Sequence, residues 1–528
     1  MNDAGANNKN GLLEKGRSGV LHVIFGRSAV VLVLILIQLI LMFWVFDYFR
    51  KSVPYFFGGH LIIALALVFI VLNRPSNPAM QLSWVVIIMI SPIVGGLFYF
   101  YVETHPGQRI LEKRLETLYK QTAKYITQDE EIARKLAEQD KGTARMADYI
   151  RKHGNFSVYQ NTKVTYFPLG ENKFEAMLRE LEKAEKFIFL EYFIVEKGYM
   201  WAKILEVLQR KVAEGVEVRL MYDGTCAFNY LPYRYPDEIK KMGIQCKMFS
   251  PILPILSTHY NNRDHRKILV IDGKVGFTGG VNIGDEYINR RSPFGHWKDT
   301  AILLKGEAVW SMTVMFLTMW EYTRDVEEDY RRFRPDKLPP EAAQGAGYYV
   351  QPYADNPLDE EAVGEAVYLN LINKAERYVY AMTPYLIISD SVNTALCNAA
   401  KSGVDVRIIT PHIPDKALVF ELTRSHYESL LEAGVQIFEY TPGFVHAKVM
   451  VTDDCCGVVG SINLDYRSMF LHFEDAVLLY HDPTVLDIKR DFINTQFRSQ
   501  PVTLEQCLGH SWIRRLFRSI LRVLAPLL

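Results

Sequence analysis

His265-Arg266-Lys267-Ile268-Leu269-Val270-Ile271-Asp272-Gly273 runs on through Val275-Gly276-Phe277 and closes on Gly279-Gly280-Val281-Asn282. The apolar run Ile268 to Ile271, set between His-x-Lys and Asp-Gly, reads as a buried strand. Asp-Gly is a tight-turn dipeptide, so the chain reverses there into the second strand of a hairpin. Residues i and i+2 share one face of a strand, so His265 and Lys267 point the same way. The glycine-rich end lets backbone approach a ligand closely. The whole stretch then recurs as His446-Ala447-Lys448-Val449-Met450-Val451-Thr452-Asp453 and Gly460-Ser461-Ile462-Asn463. His, Lys, Asp, Gly and Asn are each displaced by 181 positions.

The surroundings of the two stretches repeat as well. Phe174, Met177, Leu178 and Leu181 form a helical apolar stripe ahead of Lys183-Ala184-Glu185 and the strand-like Phe187 to Phe193. A further helix leads to Gly215 and the strand Val216 to Leu220. The second half repeats this order with Lys374-Ala375-Glu376, Tyr378 to Met382, a helix, and Gly403 to Ile409. Alternating helix and strand predict two α/β units with largely buried sheets. The expected organisation is a tail (1–27), hydrophobic segments (28–104), a helical connector (105–160), a first α/β domain (161–340), a second (341–505) and an amphipathic C-terminal helix (506–528).

The paired motif fits chemistry on a phosphodiester. Two lysines and two asparagines supply fixed donors to phosphoryl oxygens. One imidazole attacks phosphorus and the other protonates the departing alkoxide. Lys takes the place of a Lewis acid, so no metal and no cofactor is expected; Lys is not a usual metal ligand. One copy holds half of this set, and two copies facing each other complete it.

Composition narrows the setting. Lys+Arg and Asp+Glu both number 60, which argues against nucleic acid as partner. The six cysteines form no Cys-x-x-Cys pair and read as reduced thiols. Three apolar runs, about Ala29 to Phe46, Phe56 to Leu72 and Leu82 to Val102, crowd the first hundred residues. A helical bilayer span takes about 20 apolar residues, which the first and third meet and the second barely does. A signal peptide competes for the first run, but no small-residue cleavage site follows it. Basic residues flank both ends of the apolar region, placing both flanks in the cytoplasm and making the second run the candidate re-entrant segment. From Trp512 to Leu528 the arginines 514, 515, 518 and 522 oppose an apolar face, a pattern suited to an anionic bilayer surface or to packing on the protein's own core. Two apolar loops, Phe228 to Tyr233 and Ile252 to Leu256, are candidates for dipping into lipid.

These motifs resemble the phospholipase D superfamily over about residues 161–498, and more narrowly the bacterial cardiolipin synthases. The narrower resemblance is carried by Asn262 to Lys267, Gly279 to Gly284, His296-Trp297-Lys298-Asp299-Thr300 and Asn463 to Ser468, with Trp84, Ser91 to Gly96 and the closing Pro526-Leu527-Leu528. It implies two phospholipase D-like α/β/α repeats related by a pseudo-twofold axis, preceded by N-terminal membrane helices. It implies a multi-pass enzyme of the bacterial cell membrane, and the basic flanks put its catalytic region on the cytoplasmic side. Two phosphatidylglycerol molecules would be the substrates; one phosphatidyl group passes through a phosphohistidine to the second lipid, releasing glycerol. Hydrolysis to phosphatidic acid and nuclease action are the alternatives within the superfamily. The signature set is His265, Lys267, Asp272, His446, Lys448 and Asp453, and the resemblance makes His265 the nucleophile and His446 the acid/base. The motifs by themselves do not order the two histidines. Asn282, Asn463, Gly280 and Ser461 would bind phosphate, with Gly280 standing where many relatives carry Ser. A later carboxylate in each half would orient a histidine: Asp299, with Glu286 as rival, and Glu474. Asp272 and Asp453 lie a strand away from the histidines and are expected to be structural.

Overall fold

The computed structural model describes residues 56–74, 77–103, 106–251, 261–323, 328–359 and 361–527, with single positions 36, 40, 43, 44 and 47. It divides into two compact units. The smaller holds the described residues up to Glu103 together with Ala227–Asn229 and Pro251. The larger holds the rest.

In the smaller unit, the second apolar run is the helix Phe56–Leu72. The third is not one span but two helices, Pro78–Ile90 and Pro92–Glu103. Pro92 lacks an N–H and clashes with a helical residue before it, so the first helix ends at Ser91, whose N–H closes on Ile87 O at 3.1 Å. The two helices pack on each other, and a Cβ at Gly95 would stand 2.8 Å from Ile87 O. Among the described residues no helix is long and apolar enough to cross a membrane. The first apolar run lies largely outside the described residues, as does the loop Ile252 to Leu256.

The larger unit contains the duplication. The first half supplies β1 (Thr162–Phe167), β2 (Phe187–Tyr192), β3 (Glu217–Asp223), β4 (Gln245–Phe249), β5 (Arg263–Asp264), β6 (Lys267–Ile271), β7 (Val275–Gly279), β8 (His296–Lys298) and β9 (Ala301–Gly306). The second supplies β10 (Tyr349–Asp355), β11 (Tyr378–Met382), β12 (Leu386–Ile387), β13 (Asp405–Pro411), β14 (Gln436–Tyr440), β15 (Gly443–Val445), β16 (Val449–Thr452), β17 (Cys456–Gly460), β18 (Leu464–Asp465), β19 (His472–Tyr480) and β20 (Ser499–Pro501). The sheet orders are β1-β9-β7-β6-β2-β3-β4 and β10-β19-β17-β16-β11-β13-β14-β20, so the same path is walked twice. The motif hairpins β6–β7 and β16–β17 sit in mid-sheet, and every residue of these four strands is buried. This matches their unbroken apolar runs, as expected for strands covered on both faces.

The helix Val309–Tyr322 is apolar all round and packs against β2 and β6 of one half and β10 of the other. A helix without a polar face belongs inside a protein, and this one joins the halves through a common core. Residues 106–149 form connector helices whose apolar stripe, Leu115, Ile132, Leu136 and Met146, enters that core.

Candidate active site

The motif strands fix one end of the site. Both hairpin turns run through left-handed backbone: Asp272 and Gly273 at φ 53° and 64°, Asp453 and Asp454 at 54° and 61°. Asp tolerates this region better than most residues with a Cβ. The Asp272 carboxylate accepts the backbone N–H groups of Glu185, Lys186 and Phe187 at 2.7–2.9 Å. Asp453 accepts those of Glu376, Arg377 and Tyr378 at 2.7–2.9 Å. Each aspartate thus ties the hairpin turn to the start of the neighbouring strand. Seven extended residues, at about 3.3 Å each, separate it from its histidine. Asp272 and Asp453, although part of the signature set, are thus framework residues a strand away from the histidines and take no direct part in the chemistry.

At the other end the halves exchange strands. β5 pairs in parallel with β19, and β8 with β15. Each short strand places a histidine beside a carboxylate of the opposite half. His265 follows β5, and its N–H donates to Phe473 O at 2.9 Å. Its ring Nδ1 reaches both oxygens of the next residue, Glu474, at 2.8 and 2.9 Å. His446 follows β15, and its N–H donates to Lys298 O at 2.7 Å. Its Nδ1 lies 2.7 Å from Asp299, again the next residue. The two expected carboxylates are present, but each serves the histidine of the other copy. Glu286, the rival, is an ion-pair partner of Arg291.

An ionised carboxylate only accepts, so Nδ1 of each ring carries the proton and Nε2 offers its lone pair. Asp299 and Glu474 are both held below the ordinary carboxylate range; burial opposes this, and the adjoining imidazole overcomes it. Burial pushes His446 down to about 4, with Lys448 adding to the effect and Asp299 opposing it. His265 is also lowered, by burial first, against the pull of Glu474. Both rings are neutral near pH 7. Lys267 and Lys448 are fully buried and lowered to about 8 and about 7, chiefly by desolvation. Lys267 depresses both His446 and Lys448, while Asp299 and Glu474 each support both lysines. The half-sites therefore share one electrostatic environment. Each lysine ammonium donates to the carbonyl of its own motif histidine.

The phosphate-binding expectations fare unevenly. The Asn282 side chain accepts from Ile194 N–H at 3.0 Å and donates to Tyr287 Oη at 2.9 Å. Asn463 donates to Asp465 at 2.9 Å, leaving its Oδ1 buried with no partner among the described residues. Ser461 donates to Glu474, so its hydroxyl is spent on the orienting carboxylate. A Cβ at Gly280 would collide with Asp299 Oδ1, which explains the departure from Ser at this position. Ser461 and Gly280 thus act on the carboxylates.

Several neighbours escaped the sequence reading. His472 and Trp297 each precede an orienting carboxylate by two residues, and their rings lie 5.3 Å from His265 and 5.2 Å from His446. Period-two spacing on the strand was the available signal. Lys173 shares its helical stripe with Met177 and Leu181, yet is fully buried and donates to Val281 O at 3.0 Å. In the second half the corresponding carbonyl, Ile462 O, accepts instead from the Tyr368 hydroxyl at 2.8 Å. A lone lysine on an apolar stripe was the visible clue. His265, His472 and Glu474 hold donor atoms within 4.8 Å of one another, the set that could take a metal ion. Glu474 is already shared between His265 and Ser461, so the cluster first serves to orient the imidazole.

Comparison with known proteins agrees with this arrangement. Residues 177–309 and 368–495 match the family described as "Cardiolipin synthase, PLD-like domain". Cardiolipin synthase of Geobacillus kaustophilus is 36% identical over 475 residues, spanning 88% of this chain and 92% of that protein. Cardiolipin synthase 2 of Bacillus anthracis is 33% identical over 458 residues, 86% of this chain and 87% of that one. An uncharacterized protein of Streptococcus mutans is 47% identical, covering 86% of this chain and 98% of its own length. The crystal structure of phosphatidylserine synthase from Haemophilus influenzae superposes with a TM-score of 0.56 at 13% identity, over 73% of this chain and all of that one, and shares the fold. On these matches and the duplicated motif they cover, the chain belongs to the cardiolipin synthase family of phospholipase D-like phosphatidyltransferases.

Proposed function

We propose that the chain joins two phosphatidylglycerol molecules into cardiolipin, releasing glycerol, through a phosphohistidine on His265. The observation that carries this reading is the crossed pairing: two neutral imidazoles, each with Nδ1 held by a carboxylate and Nε2 available, beside two buried lysines. His265 Nε2 attacks phosphorus, and the bond to the glycerol oxygen breaks. Lys267 and Lys448 draw the phosphodiester in and balance the charge that builds on its oxygens. The anion raises the proton affinity of the imidazoles, so His446 enters the complex protonated and gives its proton to the departing alkoxide. A hydroxyl of the second lipid's glycerol returns a proton to His446, its oxygen attacks phosphorus, and the bond to His265 breaks. Hydrolysis would differ only in the final acceptor, water in place of an alcohol.

Lipid substrates place the enzyme at a bilayer. The helices of the smaller unit support this, since Ile62, Phe69 and Ile90 are 69%, 70% and 80% exposed, a poor arrangement for water. We assign the chain to the bacterial cell membrane, anchored by its N-terminal apolar segments, with the catalytic unit on the cytoplasmic face.

Phosphatidylglycerol vesicles test the reading. Wild type is expected to yield cardiolipin and glycerol, and phosphatidic acid alone would exclude transfer. His265→Ala and His446→Ala should each lose about 10³-fold or more in kcat. With labelled lipid, His446→Ala should retain a covalent adduct on the His265 peptide; an adduct on His446 in His265→Ala would reverse the roles.

A further inference from the structure

The closing helix Trp512–Leu524 is mounted inside out. In a water-soluble protein an amphipathic helix turns its apolar face to the core. Here Trp512, Ile513, Leu516, Phe517 and Ile520 are 73%, 62%, 51%, 45% and 52% exposed. Two arginines of the opposite face, Arg514 and Arg518, turn to the protein, while Arg515 and Arg522 stay exposed: Arg518 is 6% exposed, and its Nε donates to Glu421 at 2.8 Å. Arg514 Nε donates to the same carboxylate at 3.1 Å, and Arg515 to Glu428 at 2.9 Å.

The support beneath the helix belongs to the site. It packs on the helix Ala417–Arg424, which packs on β12; β12 pairs with β18, one residue past Asn463. The 3-10 turn Ala525–Leu527 that ends the chain packs on the helix Tyr466–Phe470, which follows β18 directly. An apolar face on this framework meets whatever surface delivers the substrate.

We infer that this helix is an interfacial anchor whose apolar face enters the acyl region of the bilayer, while Arg514 and Arg518 serve as internal struts. The inference rests on the lipid-transfer reading for its choice of partner. Its physical content is separate: apolar burial, not attraction to anionic headgroups, holds the helix on the membrane. Arg514 and Arg518 share Glu421 and are not free to drive a headgroup interaction. Trp512 at the first turn suits the headgroup boundary, where aromatic rings concentrate.

The test uses the full chain reconstituted in vesicles, carrying an environment-sensitive fluorophore on Ile513→Cys, Phe517→Cys or, as a water-facing control, Lys401→Cys. Unsubstituted protein corrects for the native thiols. Lipid-borne quenchers should reduce emission about threefold at 513 and 517 and leave 401 unchanged, in purely zwitterionic vesicles and at about 1 M salt. Three results would overturn the inference: no quenching at 513 and 517; equal quenching at 401; or quenching lost in salt or without anionic lipid. Repeating the measurement in a His265→Ala background keeps docking and turnover distinguishable, since quenching there does not depend on the reaction.

Discussion

The two histidine environments share a backbone and the motif lysine, and differ in the carboxylate and in the side chains behind and beside the ring. His265 meets a glutamate through both oxygens, with Ser461 bracing that carboxylate and His472 beside the ring. His446 meets an aspartate through one oxygen, with no side chain at Gly280 and with Trp297 and Tyr287 beside the ring. The longer Glu474 leaves room for a serine behind it; the shorter Asp299 occupies that room itself. Backbone symmetry therefore sets each imidazole against a carboxylate of the opposite half, and side-chain asymmetry gives the two rings different surroundings in which to perform different steps. A nucleophile benefits from a firmly held ring and an acid/base from one whose proton moves readily.

The sharpest way to break this comparison is to remove the charge behind each ring. Glu474→Gln and Asp299→Asn should each lower kcat by about 10²–10⁴-fold, because an amide no longer enforces the Nδ1–H tautomer. Glu474→Gln should be the more severe and should abolish the initial burst of glycerol in rapid-mixing experiments. Asp299→Asn should slow adduct resolution as well as formation. Loss of the burst in Asp299→Asn alone would interchange the assigned roles.

The second comparison concerns the residues behind the carboxylates. Gly280→Ser should displace Asp299 and lower kcat about 10–100-fold, since small shifts of a catalytic group are costly. Ser461→Ala removes one hydroxyl donor from Glu474 and should cost only about fivefold. Equal effects in the two variants, measured as initial rates of cardiolipin formation, would mean that the two halves are interchangeable here.

The smallest effect is a shape. The lysines must be charged to hold the phosphodiester, so kcat/KM should fall as pH rises through about 7 to 8. His265 Nε2 must be unprotonated to attack, so kcat/KM should also fall on the acid side, well below the ordinary histidine value, because burial lowers His265. A rate still climbing above pH 9 would show that neither lysine charge is needed.

Much of this site was legible in the sequence, for physical reasons. The duplication, the motif strands and the Asp-Gly turn rest on local periodicity and turn chemistry. Both orienting carboxylates were identifiable through the family resemblance, which implies a later carboxylate for each histidine. Their exchange between copies was not legible: it depends on β5 and β8, strands of two and three residues that carry almost no pattern. Asp454 occupies left-handed backbone where the first copy uses Gly273, so the second turn was less visible than the first. The third apolar run looked long enough to be one span because hydropathy counts residues, whereas Pro92 acts on backbone geometry. At the C-terminus the amphipathic pattern was clear, but the carboxylates that receive its arginines lie on a distant helix.

The exchange of strands also constrains descent. A half-length ancestor folding as one copy would own a histidine but not the carboxylate that serves it, so it could work only by pairing with its own twin. In such a pair both rings must be alike, and a change that improves one step is inherited by the other. Joining two copies in tandem removes that bond between the sites, and the divergence at positions 280 and 461 is the kind of freedom it confers.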